Sequence, residues 1–289
     1  MVPAEAVRMP GVSFESQLLR EASRTAVEYL LSRRNEDGGY TFARYTVSNA
    51  QDTYYAIEIF KMLDREPPEV DKTIAWLRVF PARDIRANYY VTKALSLCGG
   101  APDPRALETA RSISSPEGGF GSTDVYVEAP SEFNTTYMAI EILKAFGPIL
   151  DADKHIGWLL GFEREDGAFG TKSSNVQSTY HAIAALHALG FPVQGFTGTA
   201  NFVHNCEDSS GGFTSSPGVG STYIEDDYCG IWLLDLLGER SRYPEETVRA
   251  VLRYQNGNGG FRRSRELGLS TFEDTYLALA ILRKLGSPP

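Results

Sequence analysis

Three consecutive carboxylates, Glu225-Asp226-Asp227, stand immediately before Tyr228-Cys229. Like charges this close raise one another's proton affinity, and a carboxylic acid kept protonated beside an apolar cavity can hand its proton to an alkene. Asp226 and Asp227 are the candidate acids, although a helix N-terminus at this point would favour their ionised forms. A second group, Arg262-Arg263-Ser264-Arg265, is the strongest local cluster of positive charge in the sequence. Asp227, Cys229 and His181 are chemically suited to hold zinc, provided neighbouring segments bring them within metal distance. Each group also has a purely structural counterpart: a capping aspartate, a buried thiol, a packed histidine, a solvated basic loop. The sequence contains no phosphate-cradling Walker loop, serine-triad signature or dinucleotide fingerprint.

The whole chain limits the partners of these groups. It has 289 residues, 42% of them hydrophobic, enough for a substantial core. A formal net charge of −9 argues against a general nucleic-acid or anionic-membrane binder, so an anionic ligand has to meet a local basic cluster. Three widely spaced cysteines, Cys98, Cys206 and Cys229, suit a reducing compartment. Met1-Val2-Pro3-Ala4-Glu5 lacks the features of a signal peptide, and no apolar run reaches the ~18 residues of a membrane span. A cytoplasmic protein without a transmembrane segment is expected.

The elements that must position these groups emerge from internal repetition. A short phrase recurs six times: Asp52-Thr53-Tyr54, Asn88-Tyr89-Tyr90, Thr135-Thr136-Tyr137, Ser178-Thr179-Tyr180, Asp226-Asp227-Tyr228 and Asp274-Thr275-Tyr276. Successive copies lie 36 to 48 residues apart, the length of a helical hairpin. The first residue of each phrase is a good or acceptable N-cap, so a helix is expected to start at each. Apolar, alanine-rich stretches follow, and five end at Gly99, Gly147, Gly190, Gly238 and Gly286, as a left-handed cap requires. Being apolar on most faces, these are the inner helices. More amphipathic segments upstream, such as Leu18 to Arg33, Val70 to Val79 and Glu245 to Tyr254, are the outer ones. Glycine turns join the two, as in Asp37-Gly38-Gly39-Tyr40 and Asn258-Gly259-Gly260-Phe261; the second repeat has Phe80-Pro81-Ala82-Arg83 instead.

This pattern predicts an all-α, single-domain protein over residues 1–289, with repeats at roughly 14–64, 68–99, 103–147, 151–190, 195–238 and 244–286. Six helical hairpins whose first and last copies are as apolar as the middle ones favour a closed ring, an α/α toroid, over an open solenoid. The tyrosine column, with Tyr55 and Trp232, either lines a cation-tolerant pocket or packs one hairpin on the next.

The glycine turn, the Asp-Thr-Tyr phrase and the alanine-rich helix ending in Leu-Gly resemble the repeat shared by prenyltransferase β-subunits and squalene-hopene-type cyclases. Ser115-Pro116-Glu117-Gly118-Gly119-Phe120-Gly121 looks especially like the β-subunits. The cyclase repeat carries glutamine four residues before the first glycine; here only Gln255 fits, while Arg34, Ser114, Glu163 and Glu207 replace it, which points away from the cyclase branch. The resemblance implies an apolar central funnel, walled by Tyr54, Tyr180, Tyr228, Trp232 and Tyr276, that binds an isoprenoid diphosphate or a polyprene. It implies phosphate binding by the loop of Arg262, Arg263 and Arg265, prenyl transfer as the activity, and a separate helical α-subunit as partner. Asp227 and Cys229 resemble the family's Asp-x-Cys zinc pair; its third ligand, a histidine one repeat later, is Leu277 here, so His181 is the substitute. Class II cyclases, the alternative, use Asp-x-Asp-Asp; here Ile224 stands where the first aspartate belongs. A non-catalytic toroid that offers its cavity to a ligand or partner is the third reading.

Overall fold

The computed structural model describes residues 14–121, 132–266 and 268–286, and among them the regular secondary structure is helical, with isolated bridges across the turns. The outer helices are α1 (Phe14–Leu31), α3 (Val70–Val79), α5 (Pro104–Ser112), α7 (Ala152–Leu160), α9 (Thr197–Asn205) and α11 (Pro244–Leu252). The inner ones are α2 (Ala50–Met62), α4 (Ile85–Leu97), α6 (Glu132–Ala145), α8 (Val176–Ala188), α10 (Ile224–Leu237) and α12 (Phe272–Gly286). Each inner helix packs on the next, and α12 packs back on α2. The six hairpins therefore close into a ring.

The turns explain the closure. In each glycine turn the first glycine has positive φ, +93° at Gly38 and +90° at Gly259, and its bare Cα lies against the backbone of the following outer helix. A Cβ on Gly38 would stand 2.8 Å from the Lys72 carbonyl carbon on α3, and one on Gly259 would stand 2.2 Å from the Thr25 oxygen on α1. The last turn thus docks on the first helix as the others dock on their successors. Side chains four residues before the first glycine reinforce the join. Arg34 meets Glu69 at 2.6 Å, Glu207 receives Arg242 at 2.8 Å, and Gln255 donates to Ala22 and Thr25 at 3.0 Å. The glutamine column is an inter-repeat tie that other polar pairs can supply, so its loss here says nothing about activity.

A second recurring bond fixes each turn over its inner helix. The hydroxyls of Thr53, Thr179 and Thr275 accept the backbone N–H of Tyr40, Phe169 and Phe261 at 3.0 Å, and Thr136 accepts that of Phe120 at 3.1 Å. The aromatic rings that follow the glycines are then sealed in the core, Tyr40, Phe169, Phe213 and Phe261 completely.

The helix starts differ from expectation. Asn49, Asp84 and Asn175 are the capping residues, accepting from Asp52, Ala87 and Ser178 N–H, and Thr271 accepts from Asp274 N–H. The recurring polar column lies in the first turn rather than at the cap, where an acidic side chain also favours the helix dipole. The expected glycine stops hold at Gly99, Gly147, Gly190 and Gly238, all with positive φ. Gly286 is instead the last residue of α12, pressed against Leu19.

Candidate functional site

Just over one turn into each inner helix stands a tyrosine directed at the axis of the ring. Ring centroids are 6.1 Å apart for Tyr54–Tyr89, 6.2 Å for Tyr89–Tyr137, 6.4 Å for Tyr137–Tyr180, and 6.0 Å for both Tyr180–Tyr228 and Tyr228–Tyr276. Tyr55 closes the circle, 5.3 Å from Tyr276 and 5.0 Å from Tyr54. Trp232 stacks on Tyr228 at 4.2 Å. Tilted and edge-on rings at these spacings attract one another beyond simple area burial. They enclose a central cavity of about 410 Å³, a volume typical of small-molecule sites. Burial pushes the hydroxyls of Tyr54, Tyr55, Tyr89, Tyr180 and Tyr228 well above the ordinary phenol range and that of Tyr276 to about 12. The wall presents O–H groups and π faces, not phenolates.

Above the tyrosines, the second residues of α2, α4, α8, α10 and α12 form a polar tier: Gln51, Arg86, Gln177, Glu225 and Glu273. Glu273 accepts from Tyr55 Oη at 2.9 Å and Gln51 Nε2 at 2.7 Å, yet burial outweighs these bonds and raises its proton affinity. Glu225 Oε1 receives Arg263 Nε at 2.6 Å, while its Oε2 is buried without a hydrogen-bond partner. Asp226 sits behind this tier, accepting from Gln177 Nε2 at 2.8 Å, and burial pushes it up as well. Deeper in, Glu58 is raised by burial, and Lys93 is engaged by Glu141 at 2.9 Å. Carboxylates dominate the polar chemistry of the cavity.

The nominated residues separate into two groups. Tyr54, Tyr180, Tyr228, Trp232, Tyr276, Cys229 and His181 all face the cavity. Asp227 does not: its Oδ1 accepts the Phe213 N–H at 2.6 Å, the bond that threonine makes in four other repeats, and its carboxyl lies against Gly212. The zinc set of Asp227, Cys229 and His181 is therefore not assembled. Among the described residues no group of three or more histidine, cysteine or acidic side chains converges on a metal position. Burial holds the Cys229 thiol far above its usual range and lowers His181 to about 4, so the pair faces the cavity as neutral thiol and neutral imidazole.

The basic loop is largely committed to structure. Arg262 donates to the carbonyls of Arg253, Ser264 and Arg265 and to Asn256. Arg263 pairs with Glu225 at the rim and lies 4.7 Å from the Tyr223 ring centroid, while Arg265 is exposed. Sequence reasoning missed the cavity roles of Tyr89, Glu58, Glu273, Gln51, Arg86 and Gln177, while Glu225 stood in the carboxylate cluster it singled out. The doubled Tyr89-Tyr90 hid the register of α4; counting from the Asp84 cap aligns Tyr89, not Tyr90, with Tyr54.

The profile of the prenyltransferase alpha-alpha toroid domain matches residues 12–83, 80–245 and 227–288, nearly the whole chain. The chain belongs to this family. No curated protein matches it in sequence. Among solved structures, the toroid is similar to the type II terpene cyclase MstE from Scytonema bound to its product merosterolic acid A, with 14% identity, TM-score 0.64, and coverage of 94% of this chain and 99% of that one. It is similar also to Candida albicans protein geranylgeranyltransferase-I complexed with GGPP, with 16% identity, TM-score 0.58, and coverage of 94% and 86%. A glycosidase shares 10% identity at TM-score 0.61, covering 96% of this chain and 100% of its own. At such identities the likeness is one of fold, and the toroid hosts more than one chemistry. The neighbours include proteins of both isoprenoid activities expected from the sequence. No helix among the described residues is long and apolar enough to cross a membrane.

Proposed function

We propose that this toroid is an isoprenoid-processing enzyme that holds a prenyl chain in its central cavity and stabilises a carbocation there. The observation that carries this reading is the closed circle of tyrosines around about 410 Å³. Each buried methylene contributes about 0.8 kcal/mol to binding, and a cation near an aromatic face gains roughly 0.5–2 kcal/mol. The geometry favours making the cation by protonation. In its protonated form the Glu273 carboxyl gives its proton to an alkene carbon of a polyprene, leaving a carboxylate and a tertiary cation; alkene attack and loss of a proton then yield a cyclised isomer. Glu273 supports this role because it lines the cavity and holds its proton more tightly than an ordinary glutamate. Asp226, one bond behind Gln177, is placed to tune the tier rather than to touch substrate.

Prenyl transfer is the second reading, and the pair of Arg263 with Glu225 at the cavity rim favours it. A diphosphate displacing Glu225 would meet Arg263, with Arg265 from the same loop, and its departure would leave an allylic cation that an acceptor nucleophile, or water in its absence, captures with loss of a proton. A helical α-subunit and a cytoplasmic location belong to this reading. Zinc activation of a thiol does not, because the nominated ligands do not converge.

Incubating the protein with a neutral C20 polyprene in D2O and with geranylgeranyl diphosphate separates the two. Protonation predicts a cyclised, deuterium-labelled isomer of the polyprene, abolished in Glu273→Gln and retained in Arg263→Ala. Transfer predicts diphosphate release that depends on Arg263. Turnover of neither, with no prenyl compound bound, would reduce the protein to a non-catalytic toroid.

A further inference from the structure

The repeats that carry the glycine turn serve as internal controls for one another, and the first departs from the other four at two neighbouring positions. In the third to sixth copies the bridged residue before the turn, Ser114, Glu163, Glu207 or Gln255, is preceded by Ile113, Phe162, Cys206 or Tyr254 and bridges to Phe120, Phe169, Phe213 or Phe261. In the first copy these positions hold Arg33 and Tyr40. A charged group and a phenol thus replace side chains that elsewhere pack as core.

These substitutions set guanidiniums beside phenols, Arg33 against the Tyr29 hydroxyl and Arg34 against that of Tyr40. Arg33 Nε and Nη1, Arg34 Nε and Nη2, and Tyr40 Oη are buried and make no close, well-aligned hydrogen bond. Arg34 spends Nη1 on Glu69 at 2.6 Å, and the Arg33 guanidinium lies 5.4 Å from the Tyr29 ring centroid. Both arginines line a recess of about 300 Å³ together with Ser32, Asn35, Thr41 and Arg44, and no carboxylate is among its described lining residues. A recess lined by three guanidinium groups presents several donors to an acceptor-rich anion. In a chain of net charge −9, this is a concentration of positive charge on an otherwise acidic molecule, while the loop of Arg262 and Arg263 is occupied by its own protein partners.

We propose that this recess is a binding site for a phosphate-type oxyanion, held by Arg33, Arg34 and Arg44, apart from the central cavity. Phosphate, diphosphate or the phosphate of a lipid headgroup presents the same tetrahedral acceptor chemistry to the guanidinium forks. The site's function is independent of the isoprenoid reading.

Titration calorimetry of the full chain with inorganic pyrophosphate at low salt tests it. The expected result is saturable binding at one site per chain, weakened by added salt. Arg33→Ile, which installs the residue of the third repeat, should fold with at least the original thermal stability and lose tenfold or more in affinity. Arg44→Ala, at an exposed position, should also weaken binding and covers the case in which Arg33→Ile fails to fold. Vesicles of phosphatidylcholine with and without phosphatidic acid distinguish the source: capture that requires phosphatidic acid and Arg33 identifies a headgroup, and binding of pyrophosphate alone identifies a free anion. Absence of binding to either probe overturns the proposal. So does binding that persists in both Arg33→Ile and Arg44→Ala, or that disappears only in Arg263→Ala.

Discussion

Asp227 puts a carboxylate where four repeats use a threonine hydroxyl, and it accepts the same turn N–H while leaving Oδ2 buried without a partner. Burial, followed by the neighbouring Asp226 and Glu225 charges, pushes its proton affinity well up, while the Phe213 N–H pulls the other way. The position needs one acceptor and receives a group with costly surplus capacity. Asp227→Thr is therefore expected to raise stability by roughly 1–2 kcal/mol in urea unfolding and to leave turnover of any substrate in place. Loss of activity in a well-folded Asp227→Thr protein would restore it to the chemistry. The same residue shows what could be read in advance: the repeat alignment exposed the threonine-to-aspartate exchange, but not whether the side chain faced the cavity or the turn. Glu273 is the converse case. It stands one residue before the recurring column, and its entry into the cavity depends on helix rotation, which a helix start misplaced by three residues obscures.

At the scale of elements, the glycine turns are what convert hairpins into a ring, and they do so by contact with the next outer helix. Two glycines with similar positive φ separate backbone strain from that contact. A Cβ at Gly238, φ +80°, would meet nothing within 4 Å, whereas at Gly259, φ +90°, it would strike the Thr25 carbonyl. Gly238→Ala should cost about 1 kcal/mol, and Gly259→Ala roughly 3 kcal/mol or more, read from urea midpoints. Equal losses would mean that the closing contact contributes nothing. The turns, the hairpin period and the inner and outer assignments were legible because glycine, aromatic and cap chemistry recur with the repeat. The true caps Asn49, Asp84 and Asn175 were not, since each lies among other polar loop residues that carry no period of their own.

For the molecule as a whole, acids collect on one arc of the ring, at the starts of α2, α10 and α12. Burial raises Asp52, Asp226 and Glu273, and lifts Asp274 from 3.8 to about 7. Below pH 3.8 Asp274 is protonated both folded and unfolded. As pH rises from there to about 7, the unfolded chain releases this proton while the folded chain keeps it, so stability falls across that window. The decline attributable to Asp274 is on the order of 4 kcal/mol at most, and Asp274→Asn should flatten it. A thermal midpoint that climbs steadily from pH 4 to 7 in the parent protein would contradict this arrangement.

Because Gly259 rests on α1 and Gly286 presses on Leu19, the two ends of the described chain already meet. Peptide connectivity is then an accident of where the ring was opened. A circular permutant that joins the old ends through a short linker and begins instead at the 191–196 connection should refold to the same circle of tyrosines, keeping its cavity and most of its thermal stability.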